Sequence, residues 1–182
     1  MNLSMPLAAV AAAALLAGCA GGPMMAKPYD QSMLPSTVQV PAGNKVAMET
    51  VGAGDITYEC RAKAGAQGQF EWVFVGPDAR LMDRSGRQVG KYYGPPATWE
   101  SNDGSKLTAT QVAVSPAGAR SIPLQLVKGN PAMGQGAMQG VTFIQRVATR
   151  GGVAPATMCT GSNMGAKEIV KYQADYIFYK AM

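Results

Sequence analysis

The side chains able to carry chemistry in this 182-residue sequence are few, and their types restrict it before any fold is considered. There is no histidine, so Ser-His-Asp and Cys-His nucleophilic systems, imidazole zinc sites and the usual neutral-pH proton shuttle are excluded. What remains is carboxylate chemistry, in which paired acids flank a glycosidic bond at roughly 5–9 Å. Glu100 and Asp103 lie close in sequence, but they straddle Asn102-Asp103-Gly104, a turn in which Asp is favoured because its carboxylate caps backbone N–H groups. Turn chemistry is the expectation there. Arg146 and Arg150 share a strand-like run, where even spacing puts them on one face. They could clamp an anionic ligand, although structural ion pairs with Asp or Glu are the commoner use. Trp99 and Trp72 could stack on a sugar ring, yet a Trp in a strand-like segment more often forms core or half-buried wall. The candidate ligand-binding residues are thus Trp99, Glu100, Arg146 and Arg150, with no catalytic residue, cofactor or metal assigned. The 12 Met raise Cu(I) binding, but they are scattered and form no repeated cluster.

The three cysteines divide into one and two. Residues Pro6 to Leu16 form an apolar run too short to span a bilayer, which needs about 20 residues, and of the length of a signal-peptide core. Leu16-Ala17-Gly18-Cys19 follows, and it resembles the lipobox of bacterial lipoproteins at every position. The resemblance implies a signal peptide over 1–18, acylation of Cys19, and anchoring to the membrane through it. One departure is that Met1 to Met5 contains no Lys or Arg. By resemblance to lipoprotein sorting in bacteria with two membranes, the absence of Asp after Cys19 implies the outer membrane, facing the periplasm. Residues 19–39, with three Pro and little apolar periodicity, read as a flexible tether. Export leaves Cys60 and Cys159 in an oxidising compartment, where an even count reads as a disulfide. A metal site lacks further ligands, and buried free thiols are the remaining alternative.

The elements that must position these residues read as strands. Hydrophobic residues are 47% and charged residues 15%, a globular composition, while 22 Gly and 12 Pro make it turn-rich. The net charge of +5 is spread over single residues rather than a stripe, which argues against nucleic acid as a partner. Val46–Val51, Ile56–Arg61, Phe70–Val75, Ala79–Met82, Gln88–Tyr93, Trp99–Glu100, Lys106–Val114, Ile122–Val127, Gly140–Thr149 and Ile169–Tyr179 are short apolar or alternating segments between turn signals. Asp83-Arg84-Ser85-Gly86 and Asn102-Asp103-Gly104 read as hairpin turns. Lys128 to Gln139, rich in Gly, reads as a long mobile loop. The expectation for 40–182 is one all-β domain, an antiparallel sandwich or closed barrel of about nine strands. In the last strand Val170, Tyr172, Ala174, Tyr176 and Phe178 form the evenly apolar face.

Several motifs occur in a fixed order: Gly94-Pro95-Pro96-Ala97-Thr98-Trp99-Glu100, Asp103-Gly104-Ser105-Lys106, Gln145-Arg146-Val147-Ala148-Thr149-Arg150-Gly151-Gly152-Val153-Ala154-Pro155 with Cys159, and Tyr172 to Tyr179. They resemble an exported domain-of-unknown-function family of bacteria and fungi, over about Val40 to Tyr179. The resemblance implies no activity. The family pattern has His after the Gly-Lys that here precedes Tyr92, and an aromatic residue after the Ile-Pro that here leads to Leu124. Any chemistry resting on that His is lost in this chain.

Three functions are compatible with this sequence. A non-catalytic envelope module binding a small ligand or an envelope protein needs no chemistry that the sequence lacks, and is preferred. A carboxylate-based hydrolase of envelope or extracellular glycans, and a structural or assembly subunit at the outer membrane, are the alternatives. Convergent carboxylates, an aromatic-lined cavity or an exposed apolar patch would separate them.

Overall fold

The computed structural model describes residues 28–182. The signal peptide expected over 1–18, the acylation expected at Cys19 and residues 19–27 of the expected tether lie outside the described residues. Eight strands follow a short 3₁₀ turn: β1 Asn44–Ala62, β2 Phe70–Met82, β3 Gln88–Tyr93, β4 Thr98–Ser101, β5 Lys106–Ser115, β6 Leu124–Gly129, β7 Val141–Gly151 and β8 Lys167–Ala181. Each pairs antiparallel with its sequence neighbour, and β8 pairs with β1 to close the ring. The expected all-β domain is therefore a closed barrel rather than a sandwich. It is an uneven one, since β1 has 19 residues and β4 only 4.

Eight strands form where about nine were expected, because two pairs of the ten expected segments merge across glycines that lie inside strands. Gly52 and Gly54 continue β1, since a Cβ at Gly52 would meet the Tyr176 ring and one at Gly54 would collide with the β2 backbone. Glycine in a strand interior marks such a close approach. The same holds for Gly76 in β2, where a Cβ would lie 2.7 Å from the Gly94 carbonyl oxygen.

Alternation places Ile56, Leu81, Tyr92, Trp99, Leu107, Ile144, Tyr172, Ala174, Tyr176 and Phe178 in one buried interior cluster. The apolar face expected of the last strand is that interior face. At one end the barrel is sealed by the segment after β6. Met133 pairs with Lys106, Met138 is 1% exposed, and its N–H donates to Ser105 Oγ at 3.1 Å. The 128–139 segment expected to be mobile is thus pinned, because Asp103 and Ser105 of the β4–β5 turn bond its backbone.

A second apolar cluster lies outside the barrel wall. Ile177, Tyr179, Leu126 and Val147 are buried beneath Val38 and Val40, with Tyr29 and Leu34 packed alongside. The expectation of a flexible tether over 19–39 is corrected for residues 28–39, which form a strap across β5, β6, β7 and β8. The strap is held by a polar lock as well as by apolar burial. Gln145, 0% exposed, donates from Nε2 to Val38 O at 2.7 Å and to Gln31 Oε1 at 2.9 Å. Its Oε1 accepts from Tyr29 and Tyr179 hydroxyls at 3.1 and 2.8 Å. Two donors and two acceptor positions are the full capacity of an amide, so this buried group is fully satisfied.

Candidate functional site

The interior at the other end of the barrel is not filled. An eight-stranded barrel is wide enough either to be packed by side chains or to hold one small ligand. Here a cavity of about 370 Å³ remains where β1, β3, β5 and β7 end and β2, β4, β6 and β8 begin. This lies within the roughly 300–1,000 Å³ of small-molecule pockets. Its buried part is walled by Ile56, Tyr58, Tyr92, Trp99, Ile122 and Val127. Phe74, Gln111, Pro123, Gln125 and Arg146 line its more open part.

The deep wall is aromatic because β3 and β4 pair Tyr92 with Trp99 across a hairpin. Their rings stack with centroids 4.5 Å apart at 20°, and Tyr176 from β8 meets the Trp99 ring edge-on at 5.9 Å. Offset stacks and edge contacts of this kind add about 0.5–1.5 kcal/mol beyond burial. Trp99 is 3% exposed, and its Nε1–H has no acceptor among the described residues. A buried donor left unmatched costs roughly 1–3 kcal/mol.

Burial pushes the Tyr176 and Tyr172 hydroxyls well above the ordinary tyrosine value, and those of Tyr92 and Tyr58 upward. All four are therefore neutral phenols at neutral pH. The Arg146 charge opposes burial at each of them, which places that guanidinium in the field of the whole tyrosine set. Tyr58 donates to Gly152 O at 2.8 Å, and Tyr172 and Tyr176 hydroxyls lie 3.3 Å apart. Gly152, at φ +78°, leaves no room for a side chain, since a Cβ would sit about 3 Å from Tyr172, Ile122 and Ile56.

Of the four expected ligand-binding residues, the structure brings two into this cavity. Trp99 and Arg146 line it. Glu100 faces outward on the β3–β4–β5 ladder opposite Lys91 and Lys106, with Lys91 Nζ at 3.2 Å and the Tyr93 hydroxyl at 2.7 Å. The Tyr93 hydrogen bond, then Lys91, holds its carboxyl below the usual range. Arg150 is also outside, a correction to the shared face expected of the two arginines. Ala148, at φ +49°, makes a bulge, and the β7–β8 register shifts between Val147 and Arg150. One extra residue reverses alternation, so Arg146 pairs with inward Tyr176 while Arg150 pairs with outward Gln173.

The ion pair expected for the arginines is absent at both among the described residues. Arg146 instead donates from Nε and Nη2 to Pro123 O, at 3.1 and 3.0 Å. Asp103 has the turn role expected of it, accepting from Ser105 N–H at 2.9 Å and Ala137 N–H at 2.7 Å. Among the described residues no carboxylate lines the cavity. Trp72 stands apart from it, donating to Thr157 O at 2.6 Å. Cys60 and Cys159 are joined as a disulfide with Cα atoms 5.4 Å apart, fastening the β7–β8 connection to the end of β1.

Sequence reasoning missed Tyr58, Tyr92, Phe74 and the amide pair Gln111 and Gln125. Tyr92 was accessible, because a hairpin between Gln88–Tyr93 and Trp99–Glu100 sets it opposite Trp99. The motif residues Gly94–Ala97, Arg146, Gly151–Gly152 and Cys159 all lie at this end of the barrel, although far apart in sequence.

No curated protein and no solved structure matches the chain. Residues 41–180 match the family described as protein of unknown function (DUF3455), and this covers all eight strands but for the last residue of β8. The chain belongs to the DUF3455 family.

Proposed function

We propose that this protein is a binding module that holds one small, largely apolar ligand inside its barrel. The observation that carries this reading is the cavity of about 370 Å³, walled by the stacked Tyr92 and Trp99 rings and by aliphatic side chains, with Arg146 in its lining. Small-ligand sites combine such apolar walls with a few polar groups that fix orientation. Saturable one-to-one binding of a neutral apolar fluorophore, N-phenyl-1-naphthylamine, to the mature protein tests it. Ala109 lines the cavity, and Ala109→Phe should abolish binding while leaving cooperative unfolding intact. Failure of the wild type to bind, or undiminished binding by the cavity-filled variant, overturns the reading.

The module is placed in the cell envelope by its leader, with Cys19 as the acylated anchor residue. Leu16-Ala17-Gly18-Cys19 supports this, and the Cys60–Cys159 disulfide accords with an oxidising compartment. Mass measurement of the mature N-terminus tests it. A diacylated or triacylated Cys19 is expected, and cleavage elsewhere would contradict it.

A further inference from the structure

We propose that the ligand is an organic anion, with its charged group at Arg146 and its apolar body against Tyr92 and Trp99. This deepens the binding reading above and rests on it. Among the described residues, Arg146 is the only charged side chain of the lining, which includes no Asp or Glu. The Pro123 carbonyl takes Nε and Nη2, which orients the guanidinium and leaves Nη1 without an acceptor among the described residues. No carboxylate lies within ion-pair distance of it among the described residues.

The other polar groups of the lining do not offset that charge. Gln125 Nε2 donates to Gln111 Oε1 at 2.7 Å, so the two amides partly satisfy each other. The Tyr58 hydroxyl is committed to Gly152 O. The surplus is of positive charge, carried by Arg146 near the mouth. A cationic ligand would be repelled and a neutral one would leave the guanidinium unpaired. An anion gains charge-assisted hydrogen bonds there, roughly twice as strong as neutral ones.

A matched pair of probes tests the charge separately from the cavity. N-phenyl-1-naphthylamine and 8-anilino-1-naphthalenesulfonate share one ring body and differ by a sulfonate. Wild-type protein should bind the sulfonate at least about tenfold more tightly, as expected of one charge-assisted hydrogen bond. The preference should weaken with added salt. Arg146→Gln should remove it while leaving the neutral probe within about threefold, and Arg150→Gln, on the outer face, should change neither affinity. Arg146→Lys keeps the charge and should keep part of the preference. Equal affinities of wild type for the two probes overturn the anion assignment and leave the binding reading standing, whether or not Arg146→Gln folds. Loss of both probes overturns the binding reading itself.

Discussion

Gln145 and Arg146 are adjacent on β7 and point to opposite faces of the barrel wall. Gln145 is locked under the strap of residues 28–40, while Arg146 lines the cavity. One dipeptide therefore holds the outer strap on one side and supplies the inner charge on the other. The strap and the cavity are back to back across a single strand.

Gln145→Ala removes four hydrogen bonds and leaves the Tyr179 hydroxyl, in a residue only 4% exposed, without its acceptor. We expect a loss on the order of 2–3 kcal/mol in urea unfolding. The Val40 amide, which donates to Gln31 Oε1 at 2.7 Å, should exchange faster with solvent than the barrel amides do. Uniform acceleration over the whole barrel would show that the strap does not open separately.

Alkaline titration probes the same contact. Burial, reinforced by Asp175, pushes the Tyr29 hydroxyl up to about 12 from the usual 10.0. A raised folded-state value means that the native protein holds its proton more tightly than the unfolded chain does. The contribution is fully present below pH 10 and is lost as pH rises toward 12. Tyr29→Phe should flatten that part of the stability profile. An unchanged slope would sink the assignment.

At the sealed end the sign reverses. The Ser105 hydroxyl, then the Ala137 and Ser105 N–H groups, hold the Asp103 carboxyl at about 2, below the usual 3.8. Its contribution is present above pH 3.8 and is lost as pH falls toward 2. Asp103→Ala should free the segment containing Met138, raising hydrogen exchange at Ala137 and Met138 already at neutral pH. Protection there equal to wild type would contradict the pinning role.

The disulfide spans 99 residues of sequence. Closing a loop of about 100 residues is worth roughly 4.7 kcal/mol in the chain-entropy account, and measured losses run to about 2–5. Replacing both Cys60 and Cys159 by Ala should lower stability within that range, measured by urea unfolding. A change below about 1 kcal/mol would show that β-ladder closure alone holds these ends.

Composition, alternation and turn chemistry made the all-β class, the two Asp-containing turns and the inner face of β8 legible. Three things were not. Gly52 and Gly76 look like turn residues, because what requires them is the Tyr176 ring and the Gly94 carbonyl, partners distant in sequence. The Ala148 bulge reverses a face through a single non-glycine residue at positive φ, and alanine carries no local signal for that. The strap lacked an apolar period because Val38, Val40, Tyr29 and Leu34 are buried only against a wall built by β5, β6, β7 and β8. Trp99 and Arg146 were legible as residue types, but their shared cavity is a product of barrel closure.

The chain contains two tryptophans, and this makes the central claim directly measurable. Trp72 Nε1–H is already bonded to Thr157 O, whereas Trp99 Nε1–H has no acceptor among the described residues. In a ¹⁵N-labelled sample titrated with 8-anilino-1-naphthalenesulfonate, the two indole N–H resonances can be assigned with Trp72→Phe. Ligand entry into the barrel should shift the Trp99 resonance saturably, at one ligand per chain, and leave that of Trp72 nearly unmoved. A stationary Trp99 signal, or equal non-saturating drift of both, would contradict binding in the cavity.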